Sequence, residues 1–269
     1  MSSNTKTGLP WRYATLTDMG RVRQNNEDAI VIHPEQGVAV LADGMGGYNA
    51  GEVASALATE LVASNLAQWL AESCGEIAPD DIARVMHASV ANANLAIFEA
   101  AHTRAECFGM GTTLVVAVCH GACVHVGHVG DSRAYLWRGG ELTRITRDHS
   151  VLQERMDAGL MTPEEAAESG FRGFVTRALG VESWVLLDIN QVQARAGDVI
   201  LLCSDGLTDM VDDKRIASLL AQSGELHEAA RALVDEANAQ GGRDNISVAL
   251  CRFTGLTKKA GLLSRLQRK

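Results

Sequence analysis

Apolar residues in this chain follow two rhythms, and their alternation outlines the fold. The first segment carries short apolar runs that predict strands near 12–17, at 28–33 (DAIVIH) and at 37–42 (GVAVLA). The third run leads straight into Asp43-Gly44. The rhythm then becomes helical. Alanine and leucine recur at helix spacing over 50–72 and 80–104, and Pro79-Asp80-Asp81 supplies a start signal for the second stretch.

A β block comes next: TTLVVAVCH, ACVHVGHVG and RAYLWRGGEL, joined by glycine-containing turns and read as a meander. Residues 149–180 mix helix formers with the polar run TPEEAAES and read as a mobile insertion over the sheet. Strands are expected again at 184–193 and 198–203, helices near 212–221 and 225–239, and a last strand, ISVALCRF, after Asp244-Asn245. This order predicts α+β layering with helices on the outer faces of sheets. A doubly wound parallel sheet fits less well, because the central strands are joined by tight turns and not by helical crossovers.

Composition adds a few limits. Of 269 residues, 46% are hydrophobic and 21% charged, enough apolar material for a core and against disorder. The formal net charge of −9 argues against a nucleic-acid binder and suits either a cation-concentrating site or plain acidic solubility. Six cysteines form no CxxC, and most sit in apolar runs, as buried thiols of a reducing compartment do. The start has no apolar signal core and no run approaches a membrane span, so a cytoplasmic location is expected.

The candidate chemistry lies in acidic residues at strand ends. VLADG at Asp43, VGDS at Asp131 and LLCSDG at Asp205 place an aspartate after an apolar run; GGRDN places Asp244 before one. Asn26-Glu27-Asp28 opens another strand. Hard divalent cations take several oxygen ligands, carboxylates and backbone carbonyls among them. Converging strand ends would build such a site. One Asp-Gly alone signals only a turn.

Taken in order, TDMGRVRQNNED (17–28), ADGMGGYNAGEVAS (42–55), GMGTTL (109–114), VGDSRAY (129–135), RDHS (147–150), TRALG (176–180), SDGL (204–207) and GGRDNISV (241–248) resemble the metal-dependent protein phosphatase family of the 2C type, in its compact bacterial form. The resemblance spans about 11–253 and implies a four-layer α-β-β-α sandwich with a central antiparallel β-sandwich and a metal site at one edge. It implies one catalytic domain over 11–253, with the flap-like insertion at 149–180, an N-terminal extension over 1–10 and a basic tail over 254–269. The implied reaction is hydrolysis of phosphoserine or phosphothreonine in proteins by a water or hydroxide between two Mn²⁺ or Mg²⁺ ions.

Residue by residue, the resemblance implies that Asp43 bridges the two ions and that the Gly44 carbonyl binds one. Asp205 and Asp244 hold the other. Glu27 reaches its ion directly or through water, with Asp28 in support. Arg23, four residues before Glu27, is the expected phosphate ligand, with nearby Arg21 the residue it could be confused with. Asp131 is read either as a ligand of a third, weaker metal site with Asp205 or as a structural turn acid, and Asp209 as a supporting candidate. The family usually has histidine where this chain has Tyr48. The leaving oxygen is then protonated by Tyr48 or by a metal-bound water. His125, His128 and His149 read as structural, and Met45 as packing beneath the loop.

The tail GLTKKAGLLSRLQRK carries five basic residues, with Leu262, Leu263 and Leu266 on one possible helical face. It reads as a contact segment or as a solvated terminus. Expected partners are phosphorylated proteins and a bacterial Ser/Thr kinase or its targets, with no nucleic acid and a monomeric chain. Two rival functions stand beside the phosphatase: a catalytically weak phosphoprotein-binding or sensor protein on the same fold, and a phosphatase of small esters.

Overall fold

The computed structural model describes residues 9–46, 50–75, 77–170 and 173–256. In chain order its strands are β1 (Trp11–Asp18), β2 (Asp28–His33), β3 (Val38–Met45), β4 (Gly111–Thr112), β5 (Leu114–His120), β6 (Cys123–Val129), β7 (Arg133–Arg138), β8 (Glu141–Arg144), β9 (Asp188–Gln193), β10 (Val199–Cys203) and β11 (Ile246–Phe253). The helices are α1 (Ala50–Glu72), α2 (Pro79–Thr103), α3 (Val151–Asp157), α4 (Pro163–Glu168), α5 (Asp205–Thr208), α6 (Asp213–Gln222) and α7 (Leu226–Ala239). A 3₁₀ turn spans Ala105–Cys107.

The strands form two antiparallel sheets. One runs β1-β11-β10-β7-β8, the other β2-β3-β5-β6-β9, with β4 pairing β3. Side-chain alternation assigns each strand's two faces to two different layers. In β3, Val38, Val40 and Ala42 pack against α1 and α2, whereas Ala39 and Leu41 face the opposite sheet. In β10, Val199 and Leu201 pack with α6 and α7, and Ile200 and Leu202 face the sheet that holds β3. The result is the α-β-β-α sandwich, with three apolar layers between its four tiers.

Helix α1 reaches the expected bounds, and its small residues (Ala50, Gly51, Ala54, Ala58) let it lie close on β3. Three expectations change. The β block is not one meander: β5 and β6 belong to one sheet, β7 and β8 to the other, so the chain crosses between sheets at 130–132. The strand expected at 184–193 starts only at Asp188, and 184–187 is loop. SDGL closes into the single turn α5, which was not anticipated. Four of the six cysteines are buried and all are unpaired. No described helix is long and apolar enough to cross a membrane. The tail leucines lie outside the described residues.

Candidate metal centre

The inward-facing rows of the sandwich are apolar for most of their length and turn polar at one end. In β3 the row Ala39, Leu41 continues to Asp43; in β2 the row Ile32, Ile30 ends at Asp28. Asp28 and Asp43 are cross-strand partners in register. On the opposite sheet, Leu202 is followed in its row by Ser204, and Ala249 is preceded by Ser247. The period of two thus delivers two carboxyls and two hydroxyls to one edge of the interior. Ser204 Oγ donates to Asp28 Oδ2 at 2.8 Å and accepts from Ser247 N at 3.0 Å, so the polar ends meet across the sandwich.

Asp43 lies inside β3, because the strand runs on to Met45. Its backbone is held from three directions. Thr113 N and Thr112 Oγ1 donate to its carbonyl at 2.9 and 2.8 Å, and its own N–H donates to Thr113 Oγ1 at 3.0 Å. Thr113 Oγ1 also bonds Ser132 Oγ at 2.7 Å, tying Asp43 to the turn that carries Asp131. Gly44 N donates to the Glu27 carbonyl at 3.0 Å. A Cβ at Gly44 would stand 2.1 Å from the Gly51 carbonyl oxygen, and one at Gly51 would stand 2.7 Å from Glu27 Oε2. Strand β3, helix α1 and the loop with Glu27 therefore close up only around glycine.

Asp205 begins α5, and Gly206 after it would place a Cβ 2.0 Å from the Asn245 carbonyl oxygen. Asp244 precedes β11 with both oxygens engaged: Oδ1 accepts from Asn245 N at 2.8 Å and Oδ2 from Arg23 Nη2 at 2.6 Å. Arg23 is thus on the candidate site. Arg21 instead donates its backbone N–H to Gly242 O. Asp131 and Asp205 line a cavity of about 300 Å³ with Asp209, roofed by α3 through Leu152 and Met156. Tyr48 lies outside the described residues.

The acids in this edge interact strongly. Burial first, then the charges of Asp28, Asp205, Asp131 and Asp244, hold the Asp43 carboxyl well above the usual range. Burial, then Asp131 and Asp209, does the same for Asp205. Burial raises Asp28 to about 6 against its serine hydrogen bonds, and raises Asp131 to about 6 with help from Asp148. Glu27 is raised by burial, which Arg23 opposes. Asp28 Oδ1 and Asp205 Oδ1 are buried without a hydrogen-bond partner. Like charges crowded in low dielectric, with buried oxygens unsatisfied, fit a site made for cations.

Three residues not singled out from sequence hold this edge together. Asn245 Oδ1 accepts from Glu27 N at 2.8 Å, and its Nδ2 donates to the carbonyls of Met19 and Asn25. It thereby joins the loop before β2 to Asp244; its place in GGRDN was the available signal. Ser204, beside Asp205 in SDGL, and Thr113, in GMGTTL, are the others.

Another group of possible ligand atoms, from His128, His149 and Asp188, falls within 4.8 Å. His149 Nδ1 accepts from Gly130 N at 3.1 Å, so Nε2 carries the proton and donates to Asp188 Oδ2 at 3.1 Å. Neither ring nitrogen is left for an ion in that arrangement. Arg177 bonds Asp188 Oδ1 at 2.9 Å, and the His128 ring stacks on His149.

A two-layered β-sandwich with helices outside and a carboxylate cluster at one edge defines the class: a protein built to hold divalent cations between its sheets. The comparisons give the family. Residues 20–240 match the model for protein phosphatase 2C, and the chain belongs to that family. It is similar to the serine/threonine phosphatase stp of Listeria monocytogenes, 36% identical over 237 residues, 87% of this chain and 92% of the relative. PstP of Mycobacterium tuberculosis is 42% identical over 243 residues, 90% of this chain and 45% of the longer relative. The solved catalytic domain of PstP, in complex with two manganese ions, superposes with a TM-score of 0.77 at 40% identity, covering 90% of this chain and 97% of that one.

Proposed function

We propose that this protein hydrolyses phosphoserine and phosphothreonine in proteins at a two-ion centre of Mn²⁺ or Mg²⁺ on the Asp28–Asp43 edge. The observation that carries the reading is the gathering of Asp28, Asp43, Asp131, Asp205 and Asp244 at one edge, where burial and mutual repulsion hold Asp43 and Asp205 well above the usual range although Arg23 pairs with Asp244. In this reading Asp43 would serve both ions, with the Gly44 carbonyl and Glu27 as further ligands of one and Asp28 in support. Asp205 and Asp244 would hold the other. Asp131 and Asp205, which line the same cavity, would hold a third ion more weakly. Bound ions would lower the pKa of a water and screen the charge of the phosphoryl group.

The side chains supply the rest. Arg23 is half exposed at the cleft mouth, and its planar guanidinium can turn from Asp244 to two phosphate oxygens. The threonines that clamp the Asp43 backbone keep its carboxylate aimed at the interior edge. The leaving oxygen takes its proton from Tyr48 or from solvent. The domain limits expected from sequence, 11–253 with a flap over 149–180, belong to the same reading. So do a monomeric chain in the cytoplasm, supported by its unpaired buried thiols, and a Ser/Thr kinase as its functional opposite.

Asp43→Asn and Asp205→Asn test the assignment. Each should lower phosphothreonine-peptide turnover by more than about 100-fold while circular dichroism and the unfolding transition stay cooperative, since even residues supporting a metal ligand are typically worth 10–100-fold. Turnover near the wild-type rate in either variant would place the chemistry elsewhere.

A further inference from the structure

The surface beside the centre carries an unusual apolar concentration. In the loop after Leu179, Val181 is 59% exposed, Trp184 69% and Leu186 52%; Phe108, after the 3₁₀ turn, is 79% exposed, and Leu95 on α2 is exposed as well. Single exposed apolar residues are normal on soluble proteins, but a group drawn from adjoining segments marks a place of contact.

The three segments touch one another. Asn94, fully buried beside Leu95, accepts from Gly180 N and donates to Glu182 O, both at 2.9 Å. Leu179 exchanges backbone bonds with Thr112 at 2.8 and 3.1 Å. A Cβ at Gly180 would come within 3.3 Å of Met110 O, two residues from Phe108. The loop is pinned at both ends by buried Leu179 and Leu187, so its outward side chains are held in place and not free to fold under.

The group is also continuous with the centre. Gly111 lies between the side chains of Val181 and Met45: a Cβ there would be 3.2 Å from Val181 Cγ2 and 3.5 Å from Met45 Cε. Met45 ends the strand that carries Asp43 and Gly44. Thr112, the partner of Leu179, is the same residue whose hydroxyl holds the Asp43 carbonyl. The apolar rim therefore starts one residue's width from the strand that bears the candidate metal ligands.

We propose that this rim, centred on Trp184 and Val181, is a docking surface for apolar side chains flanking the phosphorylated residue of a protein substrate. The proposal rests on the phosphatase reading and adds the substrate class: segments with Leu, Ile, Val or Phe near the phosphorylated position, in preference to purely polar ones. A protein substrate whose phosphate sits at Asp43 must lay its neighbouring residues on the surface around the cleft, and this side of it is apolar and preorganised. Tryptophan at such a place is the residue type that most often dominates binding.

The test uses the full chain with Mn²⁺ and two matched phosphothreonine peptides, one with leucine and one with serine at the flanking positions, beside para-nitrophenyl phosphate. The wild type should favour the leucine peptide in kcat/KM by about tenfold, the scale of one buried aromatic anchor. Trp184→Ala and, separately, Leu186→Ser should reduce that preference severalfold, chiefly through KM. The small ester should stay within about twofold for both variants, because it cannot reach the rim. Both residues are exposed, so the variants should fold, and unchanged melting verifies it.

A wild type that treats the two peptides alike overturns the proposal. So does a preference that survives both substitutions, or a concentration-dependent dimer that Trp184→Ala dissolves while the preference remains, which assigns the rim to a second copy. If the phosphatase reading itself fails, para-nitrophenyl phosphate and both peptides go unhydrolysed by the wild type, an outcome distinct from any of these and one that removes the proposal with it.

Discussion

Buried acids occur in two regions of this protein, and they are treated in opposite ways. Asp198, at the far end of β10, accepts from Arg138 Nε and Nη2 and from Arg195 N. Burial pushes its carboxyl up, and these bonds more than reverse the push, leaving it below the ordinary carboxylate range. At the other end of the same sandwich, Asp28, Asp43, Asp131 and Asp205 are also inside, yet all are raised. The principal guanidinium among them, Arg23, bonds Asp244. The fold thus gives Asp198 cations of its own and leaves the gathered acids short of them: Arg23 bonds Asp244, and Arg133, paired to Asp148, only partly offsets Asp131. A cluster kept short of protein countercharge destabilises the chain unless something binds it, and that cost points to function.

The largest contrast comes from neutralising one acid of each kind. Asp205→Asn should cost turnover more than about 100-fold and yet raise the melting temperature of the metal-free protein, by about 2–4 °C for each kcal/mol of repulsion relieved. Asp198→Asn should do the reverse, leaving kcat nearly unchanged and costing about 1–3 kcal/mol of stability, because Arg138 loses its charged partner. Thermal unfolding of both variants in chelator checks the pair. The same sign for both would dissolve the comparison.

A smaller effect appears in the pH dependence of stability. Asp28 and Asp131, at about 6 in the folded chain, bind more protons there than in the unfolded chain between about pH 4 and pH 6. Their contribution is fully present below the unfolded value and is lost as pH rises through the folded one. Metal-free protein should therefore lose several degrees of melting temperature from pH 4 to pH 7 through these groups, and saturating Mn²⁺ should abolish that fall. Parallel curves with and without Mn²⁺ would separate the acids from the ions.

The smallest effect concerns Arg23, the cation that touches the cluster. Arg23→Ala should raise KM for a phosphopeptide severalfold, with kcat falling too if the guanidinium follows charge into the transition state. It should also tighten Mn²⁺ binding by titration calorimetry, since Asp244 Oδ2 is then released from its bond at 2.6 Å. Weaker Mn²⁺ binding would show that Arg23 supports the site and does not compete for it.

Much of the architecture was legible in the chain. The helix over 50–72 and the strands DAIVIH and ISVALCRF stand where apolar spacing put them. What spacing lacked was membership. A period of two says which residues share a face but not which sheet a strand joins, so β6 and β7 read as neighbours although they lie in different sheets. Residues 184–187 are as apolar as a strand, yet Trp184 and Leu186 face outward. The acids were legible as strand-end residues. Their convergence came from the family resemblance, because Asp28, Asp43, Asp205 and Asp244 are brought together by contacts between distant segments, as in the bond from Asn245 to Asn25, 220 residues apart. The Arg23–Asp244 pair and the role of Asn245 had no local signal strong enough to single them out.

The central claim is that the uncompensated acids exist to hold the ions on which turnover depends. The most direct test is hydrolysis of a phosphothreonine peptide by chelator-stripped protein as Mn²⁺ is added back. The account predicts almost no turnover in chelator and recovery that saturates with Mn²⁺, and Asp205→Asn should flatten that curve. Full turnover in chelator, unchanged by added Mn²⁺, would contradict it.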